Sequence, residues 1–236
     1  MVRSSWCYAA LASLSFGAAP LAAQESRTYS AVTDARLEAP EARNWLMFLR
    51  EYNSWSYSPL RQITTRNVAD LVPVWTMSTG TAEGHQSPPI VNDGVMFITT
   101  PFNQVIAIDA ASGDLLWRYR HTMPADIRMG HPTNRGVALY GDKVFFAAND
   151  AVLVALNART GLGAWRTSVA DNKSGYYMTL APLVGDGKVM VGASGGELGV
   201  RGFVAAYDAE TGKEIWRTYT VPAPGEPGSE TWPKGD

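Results

Sequence analysis

Residues 192–202 read GASGGELGVRG: one carboxylate, Glu197, among five glycines, with Arg201 four positions on. Glycine lacks a Cβ and tolerates positive φ, so such a run lets backbone pass close to a ligand while a single acid is aimed at it. A surface loop without a role is the alternative, and the rest of the chain has to decide. A second candidate is Arg135 in Asn134-Arg135-Gly136, which ends the long stretch HTMPADIRMGHPTNRG (121–136). Its planar fork of donors suits a carboxylate. The three histidines, His85, His121 and His131, show no metal-ligand spacing.

The elements that must position these residues are repeated. VIAIDAASGDLLWRY (105–119), LVALNARTGLGAWRT (153–167) and VAAYDAETGKEIWRT (204–218) each read as a strand, a turn and a second strand carrying Trp-Arg. At the turn, Asp or Asn can bond backbone two residues on, and Gly accepts a positive φ. A further hairpin precedes each, turning at Asn92-Asp93-Gly94, Gly141-Asp142 and Gly185-Asp186-Gly187. Trp117, Trp165 and Trp216 recur at intervals of 48 and 51 residues. Four strands and one tryptophan per period of that length predict an all-β fold, a β-propeller of four-stranded blades. Three complete blades are expected, at 87–119, 136–167 and 181–218, with the tryptophans packing the blades. Leu71 to Ser78, with Trp75, reads as a strand of a blade completed elsewhere. A propeller needs about 4 to 8 blades to close, so the chain reads as the front part of a larger one that needs the remaining blades. Pro40 to Tyr52 has the apolar spacing of a short amphipathic helix, ended by Ser58-Pro59.

The repeats differ in one informative way. From Gly94, Lys143 and Lys188 to the turn residues Asp109, Asn157 and Asp208 the separations are 15, 14 and 20. The third repeat is longer by five or six residues, and the excess is the GGELGVRG loop. In repeat arrays, extra residues in one copy map to loops on one face, often the binding face.

Composition sets outer bounds. The chain is 46% hydrophobic and 18% charged, with a net charge of -2, so no basic field invites nucleic acid. Residues 1–23 have the layout of a secretory signal peptide cleaved after Ala23, which predicts an exported protein. Cys7, the one cysteine, lies inside it, so the mature chain would carry no disulfide. The expected division is signal peptide 1–23, an N-terminal extension with a short helix over 24–60, and propeller from 61 to 236.

GASGGELGVRG, the Asn134-Arg135-Gly136 triplet, EGHQSPP (83–89), SPLRQI (58–63) and NVADLVPVW (67–75) together resemble the pyrroloquinoline-quinone (PQQ)-dependent alcohol dehydrogenases. These are periplasmic methanol/ethanol dehydrogenases built on an eight-bladed propeller. The resemblance spans about 40–236 and implies oxidation of a small primary alcohol by hydride transfer to a metal-polarised quinone, with a periplasmic acceptor such as a c-type cytochrome. It implies that Glu197 matches a ligand of a Ca²⁺ or lanthanide ion, hard cations that prefer carboxylate oxygen. Arg135 matches the arginine hydrogen-bonded to the quinone. Thr179, Ser194, Gly195 and Gly196 match cofactor-contacting positions. Gln86 stands where methanol dehydrogenases carry a quinone-contacting glutamate.

The pattern is departed from twice. The family's two adjacent cysteines, which cover the quinone, are replaced by Met129-Gly130, and Met129 or His131 is expected to help cover the ring. The family's catalytic aspartate, a second metal ligand and the tryptophan under the quinone all belong to later blades, beyond Asp236. No catalytic base is therefore expected in this chain, and the 236 residues alone are expected to be inactive. A non-catalytic propeller scaffold binding protein partners is the competing reading. It shares the tryptophan hairpins but gives no reason for Glu197 and Arg135.

Overall fold

The computed structural model describes residues 28–232. The expected signal peptide, and the chain end at Asp236 past which the catalytic aspartate is expected, lie outside the described residues. Among the described residues, twelve strands form three four-stranded antiparallel sheets in which spatial order follows sequence order. The first holds β1 (Ile90–Asn92), β2 (Val95–Thr100), β3 (Gln104–Asp109) and β4 (Leu115–Arg120). The second holds β5 (Ala138–Tyr140), β6 (Lys143–Ala147), β7 (Val152–Asn157) and β8 (Gly163–Ser168). The third holds β9 (Leu183–Gly185), β10 (Lys188–Gly192), β11 (Phe203–Asp208) and β12 (Glu214–Tyr219). These are the three blades the repeats predict, as an open part of a propeller. Successive strand residues point to opposite faces, so four consecutive buried residues mean that both faces are covered. Val105 to Ile108 and Leu153 to Leu156 are such runs, whereas the fourth strand β8 is largely exposed.

The turn chemistry is the same three times. Asp109 Oδ1 accepts from the backbone N–H groups of Ala111 and Ser112, Asn157 Oδ1 from those of Arg159 and Thr160, and Asp208 Oδ1 from those of Glu210 and Thr211. Each turn closes on a glycine of positive φ whose N–H bonds the carbonyl four residues back, at 2.8 Å in all three. The glycine also receives the tryptophan of the preceding blade. The Trp117 indole lies on Gly161 with its Nε1–H donated to Ala158 O at 3.0 Å, and Trp165 lies on Gly212 with its Nε1–H donated to Ala209 O at 3.1 Å. The repeat tryptophans therefore lock each blade to the next one.

Two expected elements differ from this structure. Leu71 to Ser78 pairs with no described strand, yet Trp75 sits on Gly113 and donates to Ala110 O at 3.1 Å, as the outer tryptophan of a preceding blade would. Residues 40–52 are successive turns instead of a helix, because Asn44 and the Trp45 backbone are claimed by the first sheet. Trp45 forms a bridge with Val91, Asn44 Oδ1 accepts from Asp93 N–H, and Arg50 has φ +75. Tertiary contacts of this kind override propensity. The described α-helix, α1, is Asp34–Glu38, capped by Thr33.

This N-terminal segment straps the blades together across the β1–β2, β5–β6 and β9–β10 turns. Ser30 N–H donates to Asp93 Oδ2 at 2.8 Å, Val32 bridges Gly141, and Asp34 Oδ1 accepts from Asp186 N–H at 2.7 Å. Asp34 Oδ2 also accepts from Tyr140 Oη at 2.6 Å, and this bond holds the carboxyl below its ordinary range. The strap leaves the opposite ends of the sheets free to carry the residues singled out above.

Candidate functional site

Antiparallel hairpins alternate their turns between the two ends of a sheet. The end away from the strap therefore carries the β2–β3, β6–β7 and β10–β11 loops and the linkers running from each outer strand to the next inner one. Gln86 lies exposed on the linker that enters β1, Arg135 on the linker into β5, and Thr179 buried on the linker into β9. These linkers converge at Gly136 (φ +120), where an added Cβ would meet Ser87 at 3.5 Å, Pro88 at 3.6 Å and Ala181 at 3.8 Å. Arg135 and Thr179 are joined directly. Arg135 N–H donates to Thr179 O at 2.9 Å, and its guanidinium donates to Thr179 Oγ1. Asn134 anchors the same linker, donating to Ala147 O at 2.8 Å.

The GGELGVRG loop lies on the same end, between β10 and β11, with a 3-10 turn at Gly196–Leu198. It is tied to the Thr179 linker by a bridge between Tyr177 and Ser194, in which Ser194 N–H donates to Tyr177 O at 2.8 Å. That bridge brings Tyr177, Thr179, Ser194, Gly195, Gly196 and Glu197 into one neighbourhood. The glycines have different reasons. A Cβ on Gly195 (φ +118) would fall on the carbonyl oxygen of Gly175, and one on Gly202 would lie 2.7 Å from Thr220 Oγ1. Gly196 and Gly199 face open space, with nothing within 4 Å of an added Cβ, and Gly196 adjoins Glu197.

Glu197 is exposed, and its Oε1 accepts from the Tyr177 hydroxyl. That bond lowers the Glu197 carboxyl below its ordinary range and raises the Tyr177 phenol above its own. Arg201 turns away from this group. Its Nε–H donates to Val221 O at 2.5 Å, its second nitrogen pairs with Glu226, and its guanidinium lies 4.0 Å over the Tyr219 ring. Arg201 thus fastens the loop to the chain leaving β12.

Linker 121–136 reaches the same place. Asn172 Oδ1 accepts from Arg128 N–H at 2.9 Å and Asn172 Nδ2 donates back to Arg128 O at 2.6 Å. Gly130, one residue beyond Met129, then lies against the Tyr177–Glu197 pair, where a Cβ would be 2.7 Å from Tyr177 Oη and 2.9 Å from Glu197 Oε1. His131 is exposed and its Nδ1 accepts from Thr133 N–H at 3.1 Å. His121 is buried, with Nε2 within 3.0 Å and 2.8 Å of the two Asp150 oxygens. Sequence reasoning missed two residues here: Tyr177 and Asn149. Fully buried Asn149 donates its amide to Thr133 O at 3.0 Å and Met178 O at 2.8 Å, pinning both linkers beside Arg135 and Thr179. Only the nearness of Tyr177 to Thr179 in YYMTLAP was a usable signal.

Among the described residues, no three His, Cys, Asp or Glu side chains gather as a metal site. Glu197 stands as one carboxylate bonded to the Tyr177 phenol, on the same end of the blades as the Arg135–Thr179 pair. Comparison with known proteins gives this arrangement a context. The quinohemoprotein alcohol dehydrogenase ADH IIB of Pseudomonas putida is 43% identical over 210 residues, which are 87% of this chain and 30% of that relative. The solved structure of the quinohemoprotein alcohol dehydrogenase ADHIIG from Pseudomonas putida superposes with a TM-score of 0.77 at 42% identity, covering 83% of this chain and 29% of the other. A europium-containing methanol dehydrogenase superposes at 0.74 with 36% identity, covering 80% of this chain and 34% of the other. The chain thus spans about a third or less of the length of the relatives it matches. The family model of the glucose/ethanol/alcohol dehydrogenase β-propeller domain that uses PQQ matches residues 45–236, and the chain belongs to this family.

Proposed function

We propose that this chain supplies the N-terminal part of a PQQ-dependent alcohol dehydrogenase, acting on a primary alcohol once the remaining blades complete the site. The observation that carries the reading is the convergence of Arg135, Thr179, Ser194 and Glu197 on one end of the blades, the end away from the strap. The donor set fits a planar, anionic quinone. Arg135 presents a fork for carboxylate or quinone oxygens, Thr179 and Ser194 present hydroxyls, and Gly196 leaves backbone approachable. Gln86 adds an amide that hydrogen-bonds without charge. Glu197 offers a hard cation one of the 6–8 oxygens that Ca²⁺ takes; the others must come from groups beyond this set.

When bound, PQQ supplies the hydride acceptor, and a Ca²⁺ or lanthanide ion polarises it as a Lewis acid. The residues of this chain orient and hold. Thr179 and the Asn149-pinned linkers set the direction of the Arg135 fork. The base that takes the alcohol proton is not among the residues assigned here; we place it beyond Asp236, in a later blade. We place the mature protein in the periplasm, with a c-type cytochrome as its electron acceptor. The signal peptide on which that rests lies outside the described residues. The scaffold reading leaves the Arg135–Thr179 contact and the Glu197 loop without a purpose.

Titration of the purified full-length protein, with the remaining blades present, by PQQ and Ca²⁺ or La³⁺, followed by tryptophan fluorescence, tests the binding half. Saturable quenching is expected, weakened about tenfold or more in Arg135→Ala through loss of a charge-assisted bond. Absence of quenching in the wild type sinks the reading. Alcohol-dependent dye reduction by the 236-residue chain alone is expected to be absent. Its detection would show that the site is already complete here.

A further inference from the structure

Two features of the site have no part in the roles assigned by resemblance. The Tyr177 phenol, only 8% exposed, ends on Glu197 Oε1. Gly130, from a different linker, reaches the same two atoms and has no room for a side chain. Gly130 has no positive φ, so its conformation does not demand glycine. The constraint at 130 is steric and comes from the far ends of Tyr177 and Glu197. Behind Tyr177 the backbone is fixed by the Ser194 bridge, and linker 121–136 is fixed by the paired Arg128–Asn172 bonds. Among the described residues, Tyr177 is the one side chain that donates a hydrogen bond to the Glu197 carboxylate. Without the hydroxyl, an exposed glutamate between glycines would sample many rotamers.

We infer that Tyr177 is the positioning residue for Glu197, its hydroxyl selecting one direction for the carboxylate, and that Gly130 is bare to leave space for that pair. Groups that orient a ligating carboxylate commonly set its affinity as strongly as the ligand does. The first arm of the test needs no ligand, and the second rests on the quinone reading above.

In the first arm, amide hydrogen exchange is followed in wild type, Tyr177→Phe, Gly130→Ala and the double variant. Tyr177→Phe is expected to speed exchange at residues 196–200 about tenfold, leaving β10 and β11 unchanged, because a hydrogen bond to a charged group is lost while the ring's packing is kept. Gly130→Ala is expected to do the same in the wild-type background and little in Tyr177→Phe, where the hydroxyl it displaces is gone. Uniform acceleration across the third sheet, or independent effects of the two substitutions, overturns the proposal. In the second arm, the full-length protein with the remaining blades is titrated with PQQ and La³⁺ by fluorescence. Tyr177→Phe is expected to weaken binding about tenfold with Glu197 present and to change nothing in Glu197→Gln. Equal weakening in both backgrounds overturns the proposal. A wild type that does not bind PQQ refutes the quinone reading, and the first arm still decides the role of Tyr177.

Discussion

Replacement of Gly161 by alanine separates backbone strain from inter-blade docking. Gly161 has φ +71, and its added Cβ would lie 2.6 Å from two atoms of the Trp117 indole. Gly187 is the natural control, because its φ is +69 and nothing lies within 4 Å of its added Cβ. Alanine in the left-handed region costs about 1–2 kcal/mol at either position. At Gly161 the indole must also shift, at an overpacking cost of about 1–3 kcal/mol. Gly161→Ala should therefore lose about 2–5 kcal/mol and Gly187→Ala about 1–2 kcal/mol. For a chain of this size, each kcal/mol moves Tm by about 2–4 °C, giving roughly 4–20 °C against roughly 2–8 °C. The assay is thermal unfolding by circular dichroism, with tryptophan emission recorded on the folded protein. Trp117 is 7% exposed and donates to Ala158 O, so its displacement should shift emission to the red in Gly161→Ala alone. Equal Tm losses with unchanged emission would refute the claim that the repeated glycines exist to seat the preceding blade's tryptophan.

Further outcomes follow from the strap and the linkers. Glu41 is held down to about 2, first by its hydrogen bond to Arg36, below its ordinary 4.5. A depressed carboxyl contributes stability that is fully present above about 4.5 and lost as pH falls toward about 2. Glu41 is half-exposed, so solvent screening limits the effect to about 1 kcal/mol or less. Acid titrations of wild type and Glu41→Gln should then differ above pH 4.5 and converge near pH 2; parallel curves would exclude the pair as a stabilising contact. Asn149→Leu removes the amide that bonds Thr133 O and Met178 O, leaving two buried carbonyls short of a donor at about 1–3 kcal/mol each. Its Tm should fall, and PQQ quenching should weaken beyond what the Tm predicts. A stability loss with full quenching would show that Asn149 braces the blades without setting the Arg135–Thr179 geometry.

The parts of this fold legible in sequence are those whose partners are near in the chain. An Asp or Asn four residues before a glycine closes its own turn, and the strands beside it pair with each other, so the three blades could be counted directly. Residues 40–52 defeat such a reading because an apolar face is satisfied equally by a helix and by a strap laid on a sheet; the first sheet's claim on Asn44 and Trp45 decides it. The candidate site divides in the same way. Its location is legible because the third blade is longer than its copies. The reason for its glycines is only partly so: Gly195 and Gly202 serve packing against Gly175 and Thr220, while Gly196 and Gly199 are open. Most hidden is the contact between the two irregular segments. Linker 121–136 and the GGELGVRG loop each depart from the repeat, and neither one's residues point to the other. In the structure they meet, with Gly130 against Glu197 and Tyr177 between them. A regular repeat positions its own residues and needs no such partner. An insertion has lost that support, so whatever fixes its one charged group must come from another part of the chain that has also left the pattern.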